Sequence, residues 1–538
     1  MKTLSFIRLL FCLVAFYSIV CTASAQTVPP MQWEKSLGGS NDDEAYAIEQ
    51  TTDGGFIVAG LSFSDNDEVT GHRSDSLSSD YWIVKLDANG RIEWQKSLGG
   101  SNYDHAFSIE QTTDGGYIVA GGSYSNDIDV SVNHGKYDYW IVRLDGTGEI
   151  IWQKSLGGSD DDEAESIRQT TDGGFIVAGY SFSTNDDVTG HHGDSTTSDC
   201  WIVKLDGEGT IQWSESLGGN DYDEAYSIRQ TTDDGYIIAG YSFSINGDVT
   251  GHHGDTTTSD FWIVKLSGSG VIQWEKSLGG SGYDEAFSIC QTADGGYVAA
   301  GYSTSNDYDV SGNHGGIDYW VVKMDAGGAI QWAYAFGGSA DDRAQSIRQT
   351  SDGGYIVAGF TESADGDVTF NYGFADFWLV KLDSNGALQW QVSLGGSNYD
   401  FAQSILQIPD GGYVVAGYSH SKDGCVSRNH GGYDFWIAKL DNLSSVQEKP
   451  MSIPADLSFF PNPFSSSTQI DYDVAQPGAV QMDVLNALGE TIATPVSAEH
   501  SAGHYTAEFS GEQLPSGIYF VRLSANGTVQ TRMMQVIR

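Results

Sequence analysis

Ile272-Gln273-Trp274-Glu275-Lys276-Ser277-Leu278 alternates apolar and polar residues and halts at Gly279-Gly280. That is the pattern of a half-buried β-strand cut off by a turn. Working outward, Ala286-Phe287-Ser288-Ile289-Cys290-Gln291 is a second strand-like run. Asp294-Gly295-Gly296 then supplies a tight hairpin, because glycine accepts positive φ and Asp bonds its own backbone. Tyr297 to Tyr302 is a third, apolar strand, and a longer polar loop follows it. Asp318-Tyr319-Trp320-Val321-Val322-Lys323-Met324 is the fourth strand, and Asp325-Ala326-Gly327-Gly328 turns the chain into the next Trp strand. No segment carries helical periodicity.

This unit recurs seven times between residues 33 and 441, and its two tryptophans account for all 14 in the chain. The first of each pair is Trp33, Trp94, Trp152, Trp213, Trp274, Trp332 and Trp390; the second is Trp82, Trp140, Trp201, Trp262, Trp320, Trp378 and Trp436. The first tryptophans lie 61, 58, 61, 61, 58 and 58 residues apart. A period in this range with four strands per copy indicates a β-propeller. One four-stranded meander cannot bury both its faces, so the copies need each other. Each tryptophan is expected to bury on the order of 200 Å², roughly 4–6 kcal/mol gross, and to glue neighbouring blades.

Phase predicts how the ring closes. If a blade is ordered A (Ala-x-Ser-Ile), B (Gly-Tyr-Ile-Val), C (Asp-x-Trp-Ile-Val) and D (the Trp strand), the last blade lacks D. Met31 to Leu37, alone at the start, would supply it. The clasp is similar to the closure of Trp-Asp repeat propellers and removes an exposed sheet edge. Lys-Leu-Asp-x-x-Gly-x-Ile-x-Trp, as at Lys204–Trp213, resembles the turn motif of quinoprotein-type blades, which implies a docking element rather than a catalytic one.

The 538-residue chain opens with Lys2 and Arg8, an apolar run from Leu9 to Val20, and Ala23-Ser24-Ala25. This reads as a secretory signal at residues 1–25, cleaved between Ala25 and Gln26. The run is short for a membrane span, and no later segment could cross as one. Losing Lys2 and Arg8 takes the net charge from −46 to −48. So acidic a chain excludes nucleic acid and bare anionic membrane as partners. Cys200, Cys290 and Cys425 occupy three different repeat positions, which is neither a disulfide framework nor a metal spacing.

Two aspartate sets repeat in every copy. Asp43, Asp104, Asp162, Asp223, Asp284, Asp342 and Asp400 precede strand A; Asp80, Asp138, Asp199, Asp260, Asp318, Asp376 and Asp434 open strand C. Sevenfold repetition argues for turn capping. The functional alternative is that the first set rings the channel mouth around a cation. Candidate sites lie in the long B–C loops. Asp187–Asp194 and Asp248–Asp255 both read Asp-Val-Thr-Gly-His-His-Gly-Asp, which reads first as Asx-turn loop structure and, as the alternative, makes Asp187, Asp194, Asp248 and Asp255 the candidate Ca²⁺ ligands. The loop of the copy from Trp332 departs most, with Phe370, Tyr372 and Phe374 as aromatics that either stack on a sugar or anchor a protein, or fold back onto their own blade. Asp75-Ser76-Leu77, Asp194-Ser195-Thr196 and Asp255-Thr256-Thr257 resemble an O-glycosylation acceptor motif of bacteria with type IX export.

Composition changes after Asp441. Residues 442–455 read as a linker, and 456–538 as short alternating strands. Phe460-Pro461-Asn462-Pro463-Phe464 opens the segment, Leu514-Pro515-Ser516-Gly517-Ile518-Tyr519-Phe520-Val521-Arg522-Leu523 lies near its end, and Arg532–Arg538 closes it. This closely resembles the type A C-terminal sorting domain of type IX secretion. The resemblance implies an immunoglobulin-like β-sandwich, recognition by the type IX machinery, and removal with surface attachment or release. As a whole the chain resembles exported bacterial propeller-repeat proteins carrying that domain.

The expectation is an all-β protein: a seven-bladed propeller over residues 26–441, closed by the N-terminal strand and followed by the sandwich. No catalytic constellation stands out; Glu362, His105 and His420 are isolated in sequence. The expected role is a secreted or surface-displayed scaffold binding a glycan or protein, the alternative a polysaccharide hydrolase or lyase at the loop face.

Overall fold

A computed structural model describes residues 28–73, 77–442, 457–474, 478–486, 491–501, 503–525 and 528–537. The signal segment, Asp75-Ser76 and most of the expected linker lie outside the described residues. Among those described, regular structure is entirely β, and the chain divides into two units, residues 1–443 and 444–538.

The first unit holds seven four-stranded antiparallel sheets. Blade 1 runs Asp43–Gln50 (A), Phe56–Ser62 (B), Asp80–Leu86 (C) and Ile92–Leu98 (D), and the next five blades repeat that order. In blade 7, Asp400–Gln407, Tyr413–Ser419 and Asp434–Leu440 are followed by Met31–Leu37, which pairs antiparallel with strand C. The N-terminal strand therefore closes the ring, as phase requires. Closure is also made in the core, where Phe435 of blade 7 lies 4.5 Å from Trp82 of blade 1, ring centre to ring centre.

The same aromatic contact joins other neighbours: Tyr81 to Trp140, Tyr139 to Trp201, Phe261 to Trp320 and Tyr319 to Trp378, each at 4.6 Å. Tyr81, Tyr139 and Tyr319 also donate to the backbone carbonyl of the tryptophan they face. The second tryptophans are thus fully buried glue. The first set is different. All but Trp390 are only half-buried, because strand D is the outermost strand of its blade and solvent reaches one side of it. These rings instead brace the turn of the following blade; Trp152, for example, lies against Gly209, whose φ of +77° leaves no room for a Cβ.

In the second unit, Ser458–Phe460, Ser467–Val474 and Gly503–Ser510 form one sheet, and Thr491–His500, Gly478–Leu485, Gly517–Ala525 and Thr528–Val536 the other. One core of Leu457, Phe464, Ile470, Met482, Val484, Val521, Leu523 and Met534 spans both sheets, which makes a sandwich. His500 hydrogen-bonds Tyr472 at 3.0 Å.

Candidate functional site

Strand A is the innermost strand of each blade, and the seven A strands contact one another around the axis. Each carries a β-bulge at its fourth residue, which has no partner on strand B. A bulge re-aims a side chain and leaves ladder groups free. Part of that freedom is taken up by the adjacent blade, where Ile167, Ile228, Ile289, Ile347 and Ile405 donate their N–H to a serine Oγ of the preceding A strand.

Three rows of side chains stand on the axis side of these strands. Nearest the D–A and B–C loops are Glu44, His105, Glu163, Glu224, Glu285, Arg343 and Phe401. The bulged row is Tyr46, Phe107, Glu165, Tyr226, Phe287, Gln345 and Gln403. Nearest the A–B hairpins are Glu49, Glu110, Arg168, Arg229 and Arg348; at the equivalent positions Leu406 and Cys290 pack into the cores between neighbouring blades. The bulged row and the arginines of the third enclose an axial cavity of about 120 Å³ to which all seven blades contribute.

The first row is acidic. Burial, helped by Asp161 and Glu224, pushes Glu163 up to about 7, and burial with Glu163 and Glu224 raises Glu165 well above the usual carboxylate range. Burial alone holds His105 down at about 4, so its ring is neutral at pH 7. Tyr46 and Tyr226 donate to Glu44 and Glu224 at 2.6 and 2.9 Å.

Hydrogen bonds such as Ser40 N–H to Asn66 and Asn41 N–H to Ser64 tie the D–A loop to the B–C loop, so both share one face. Aromatics cover that face. Phe374 stacks on Tyr399 at 5.0 Å and 13°, and Tyr399 on Phe401 at 5.9 Å and 17°. Phe401 in turn meets Phe360, Tyr418 and Tyr433. The ladder leads from an exposed ring, Phe374 at 57 % exposure, to the channel mouth. Phe370 and Tyr372 do not join it; they pack edge to face on each other, 4.7 Å apart. The structure therefore separates the three aromatics of that loop.

The repeated aspartates lie elsewhere. Asp43 and its equivalents turn into the blade junctions, not the channel mouth. Asp43 accepts from Gly39 N–H at 2.7 Å, Ser64 Oγ at 3.0 Å and Ser62 Oγ. Across Gly38 it faces Asp434 of the previous blade; a Cβ on that glycine would sit 2.5 Å from one carboxylate and 2.9 Å from the other. Burial, with the opposing aspartate adding repulsion, pushes Asp43, Asp104, Asp162 and Asp223 up to about 7. The Oδ1 of every strand-C aspartate, from Asp80 to Asp434, is buried without a hydrogen-bond partner. On the other oxygen, Oδ2, six of them meet a histidine: His72, His134, His192, His253, His314 and His430. In blade 6 Tyr372 occupies the histidine position, and Asp376 keeps only the Tyr372 N–H. Burial and Asp400 push Asp376 up to about 7.

Asp194 and Asp255 each accept from the N–H and hydroxyl of the threonine two residues on. Asp187 and Asp248 accept long bonds, 3.4 Å, from Gly157 and Gly218 N–H. Among the described residues no three His, Cys, Asp or Glu side chains gather into a group able to hold a metal ion. Among the described residues, Cys200, Cys290 and Cys425 form no disulfide.

Comparison with known proteins resolves the C-terminal unit. Residues 458–537 match the family described as the secretion system C-terminal sorting domain. The tail of this chain is a type IX sorting domain. It directs the chain out of the cell, to the surface or into the medium. Over 254 residues the chain is 24 % identical to the regulatory protein FlaEY of Caulobacter vibrioides, covering 46 % of this chain and 25 % of that protein. The chain thus spans only a quarter of that relative. Among solved structures, PorZ, a surface component of the type IX secretion system of Porphyromonas gingivalis, aligns with TM-score 0.38 and 12 % identity over 93 % of this chain and 60 % of its own. Puromycin hydrolase aligns at 0.43 and 10 %, over 84 % and 62 %. Neither likeness carries a statement about activity.

Proposed function

We propose that this protein is an exported binding propeller whose site is the loop-face mouth of the axial channel, and that its ligand is a neutral or amine-bearing glycan. One observation carries the reading: the Phe374–Tyr399–Phe401 ladder runs into a mouth ringed by Glu44, Glu163, Glu224 and Glu285. Flat aromatic faces take the apolar faces of sugar rings, and carboxylates accept from hydroxyl or ammonium groups. The acidic ring repels uronic and sulfated sugars. Display at the surface after export through the type IX machinery would place the site where such glycans occur. A glycan-array screen of the chain, with Phe401→Ala as comparator, tests it: signal confined to uncharged or amine-bearing glycans and lost in the variant supports the reading, and binding only to acidic glycans overturns it.

A second reading, polysaccharide cleavage, is favoured by Glu163. A carboxyl near pH 7 beside Glu165 and Glu224 suits a general acid. Glu163→Gln would then abolish product release from a bound glycan while leaving binding intact.

A further inference from the structure

Eight arginines lie between residues 28 and 442, and Arg343 among them lies over the Tyr302 ring at 4.9 Å. Three of them, from blades 3, 4 and 6, line the same small cavity. In a chain of net charge −46 this is a concentration of positive charge that folding does not require.

Their bonding shows what is missing. Arg168 donates from Nη1 to Ser108 Oγ at 2.9 Å and to the Ile167 carbonyl. Arg229 donates from Nη1 to the Ile228 carbonyl at 3.2 Å. Arg348 donates from Nη1 to the Ile347 carbonyl at 3.0 Å and to Ser288 Oγ at 3.5 Å. Each guanidinium is thus tethered through one nitrogen to its own strand and, for Arg168 and Arg348, to a serine of the preceding blade, and none has a carboxylate within 4 Å among the described residues. Each carries five N–H donors, so the tether uses a minority of them. Glu110 is near, but its Oε2 accepts from Gln169 N–H at 2.6 Å. Burial, then repulsion from Arg168 and Arg348, drives Arg229 well below the usual arginine range, with Glu49 and Glu110 opposing the shift. Elsewhere in the propeller the buried lysines are paired: Lys85, Lys204, Lys265, Lys323 and Lys381 each meet a turn aspartate at 2.9–3.1 Å, whereas the three half-buried arginines have no such partner.

We propose that the cavity binds a small oxyanion, a phosphate, a sulfate or a short carboxylate, through Arg168, Arg229 and Arg348. Planar guanidiniums suit this chemistry because they bond two oxygens of such an anion at once. A cavity of about 120 Å³ holds a few waters or one such ion, not a nucleotide or an oligosaccharide. Glu165 and the aromatics of the bulged row line its loop-face side, and the three arginines its hairpin side. The site goes beyond the glycan reading and does not depend on it, since the two lie at opposite ends of the bulged row.

The test is thermal melting and calorimetric titration of the full chain with phosphate, sulfate and acetate, against chloride at matched ionic strength. Saturable binding of at least one oxyanion, with a matching rise in melting temperature, is expected. Arg229→Gln should weaken it by about tenfold or more, as loss of a charged bidentate contact does. Because removing a charge from the cluster relieves repulsion, the anion-free variant should melt no lower than the parent, which separates lost binding from lost folding. Arg73→Gln, away from the axis, should leave affinity unchanged. No saturable binding, an equal response to chloride, or undiminished binding in Arg229→Gln overturns the proposal. Glycan-array signal is read independently and survives either result.

Discussion

The two faces of strand A differ in how far the blades agree. On the junction face every blade has the same aspartate, alanine and isoleucine, as at Asp223, Ala225 and Ile228. On the axis face the second, fourth and seventh residues differ: Glu, Tyr and Arg in blade 4 become Phe, Gln and Leu in blade 7. The junction side chains pack against a neighbouring blade built the same way, so one solution is imposed seven times. The bulged row, with Arg168, Arg229 and Arg348, lines the axial cavity and meets no such demand. Repetition therefore marks the scaffold, and departures from it on the same strand mark the site.

The largest expected effect comes from breaking the repeat at its seam. Removing residues 28–38 takes away the strand that covers Asp434–Leu440 and exposes an edge. The chain should then leave the monomer peak on size exclusion, through edge-to-edge association. A protein that stays monomeric with an unchanged melting temperature would show that the clasp is dispensable.

Next comes a direct contrast two residues apart in blade 6. Ile347 is fully buried in the junction, and Gln345 lines the channel. Ile347→Ala should cost about 2–5 kcal/mol in urea unfolding. Gln345→Ala should cost about 0.5 kcal/mol or less. Equal losses would erase the distinction between the faces.

A smaller effect is expected from pH. The junction aspartates have folded-state values raised from 3.8 to about 7 or 6, so the fold holds their protons more tightly than the unfolded chain does. Their contribution is full below about pH 4 and is lost as pH rises toward 7. Turn aspartates act oppositely. Bonds from Thr112, Gly116 and Arg143 outweigh burial and hold Asp114 at about 2, and similar bonds hold Asp294 at about 2, so their contribution is lost as pH falls from about 4 toward 2. The melting temperature should peak near pH 4–5 and decline toward pH 8. Asp376→Asn should flatten the decline, since Asp376 lacks the histidine of other blades. A melting temperature that climbs from pH 5 to 8 would refute these assignments.

The smallest effect concerns the loops. With Asp194 and Asp255 committed to threonines, Ca²⁺ added after chelation should leave the melting temperature unchanged. A rise of several degrees would mean that these loops reorganise around a cation.

The architecture was legible in the sequence because its signals are repeated. Trp spacing, Gly-Gly turns and the stranded phase of Met31–Leu37 each state the ring independently. In the sorting domain no repeat underlines Ser467–Val474, and only the alternation of Thr468-Gln469-Ile470-Asp471-Tyr472-Asp473-Val474 marks it as a strand. The site was legible only in part. Phe374 was found as an aromatic break in a loop pattern, but its partners Tyr399 and Phe401 lie in the next blade's D–A loop and A strand. Glu163, Glu165, Arg168, Arg229 and Arg348 are not legible as a site in the sequence, because each sits inside a run whose other residues are constant. The signal was present as the variable positions of Asp-x-Ala-x-Ser-Ile-x-Gln, but only the ring brings seven such positions to one axis.

The most direct test of the central claim is calorimetric titration of the chain with the best glycan from the array, repeated on Phe401→Ala and on Tyr372→Ala. The ladder at the mouth predicts binding lost in Phe401→Ala and retained in Tyr372→Ala, with both variants melting within a few degrees of the parent. Binding that survives Phe401→Ala, or that fails only in Tyr372→Ala, would move the site off the axis and contradict the claim.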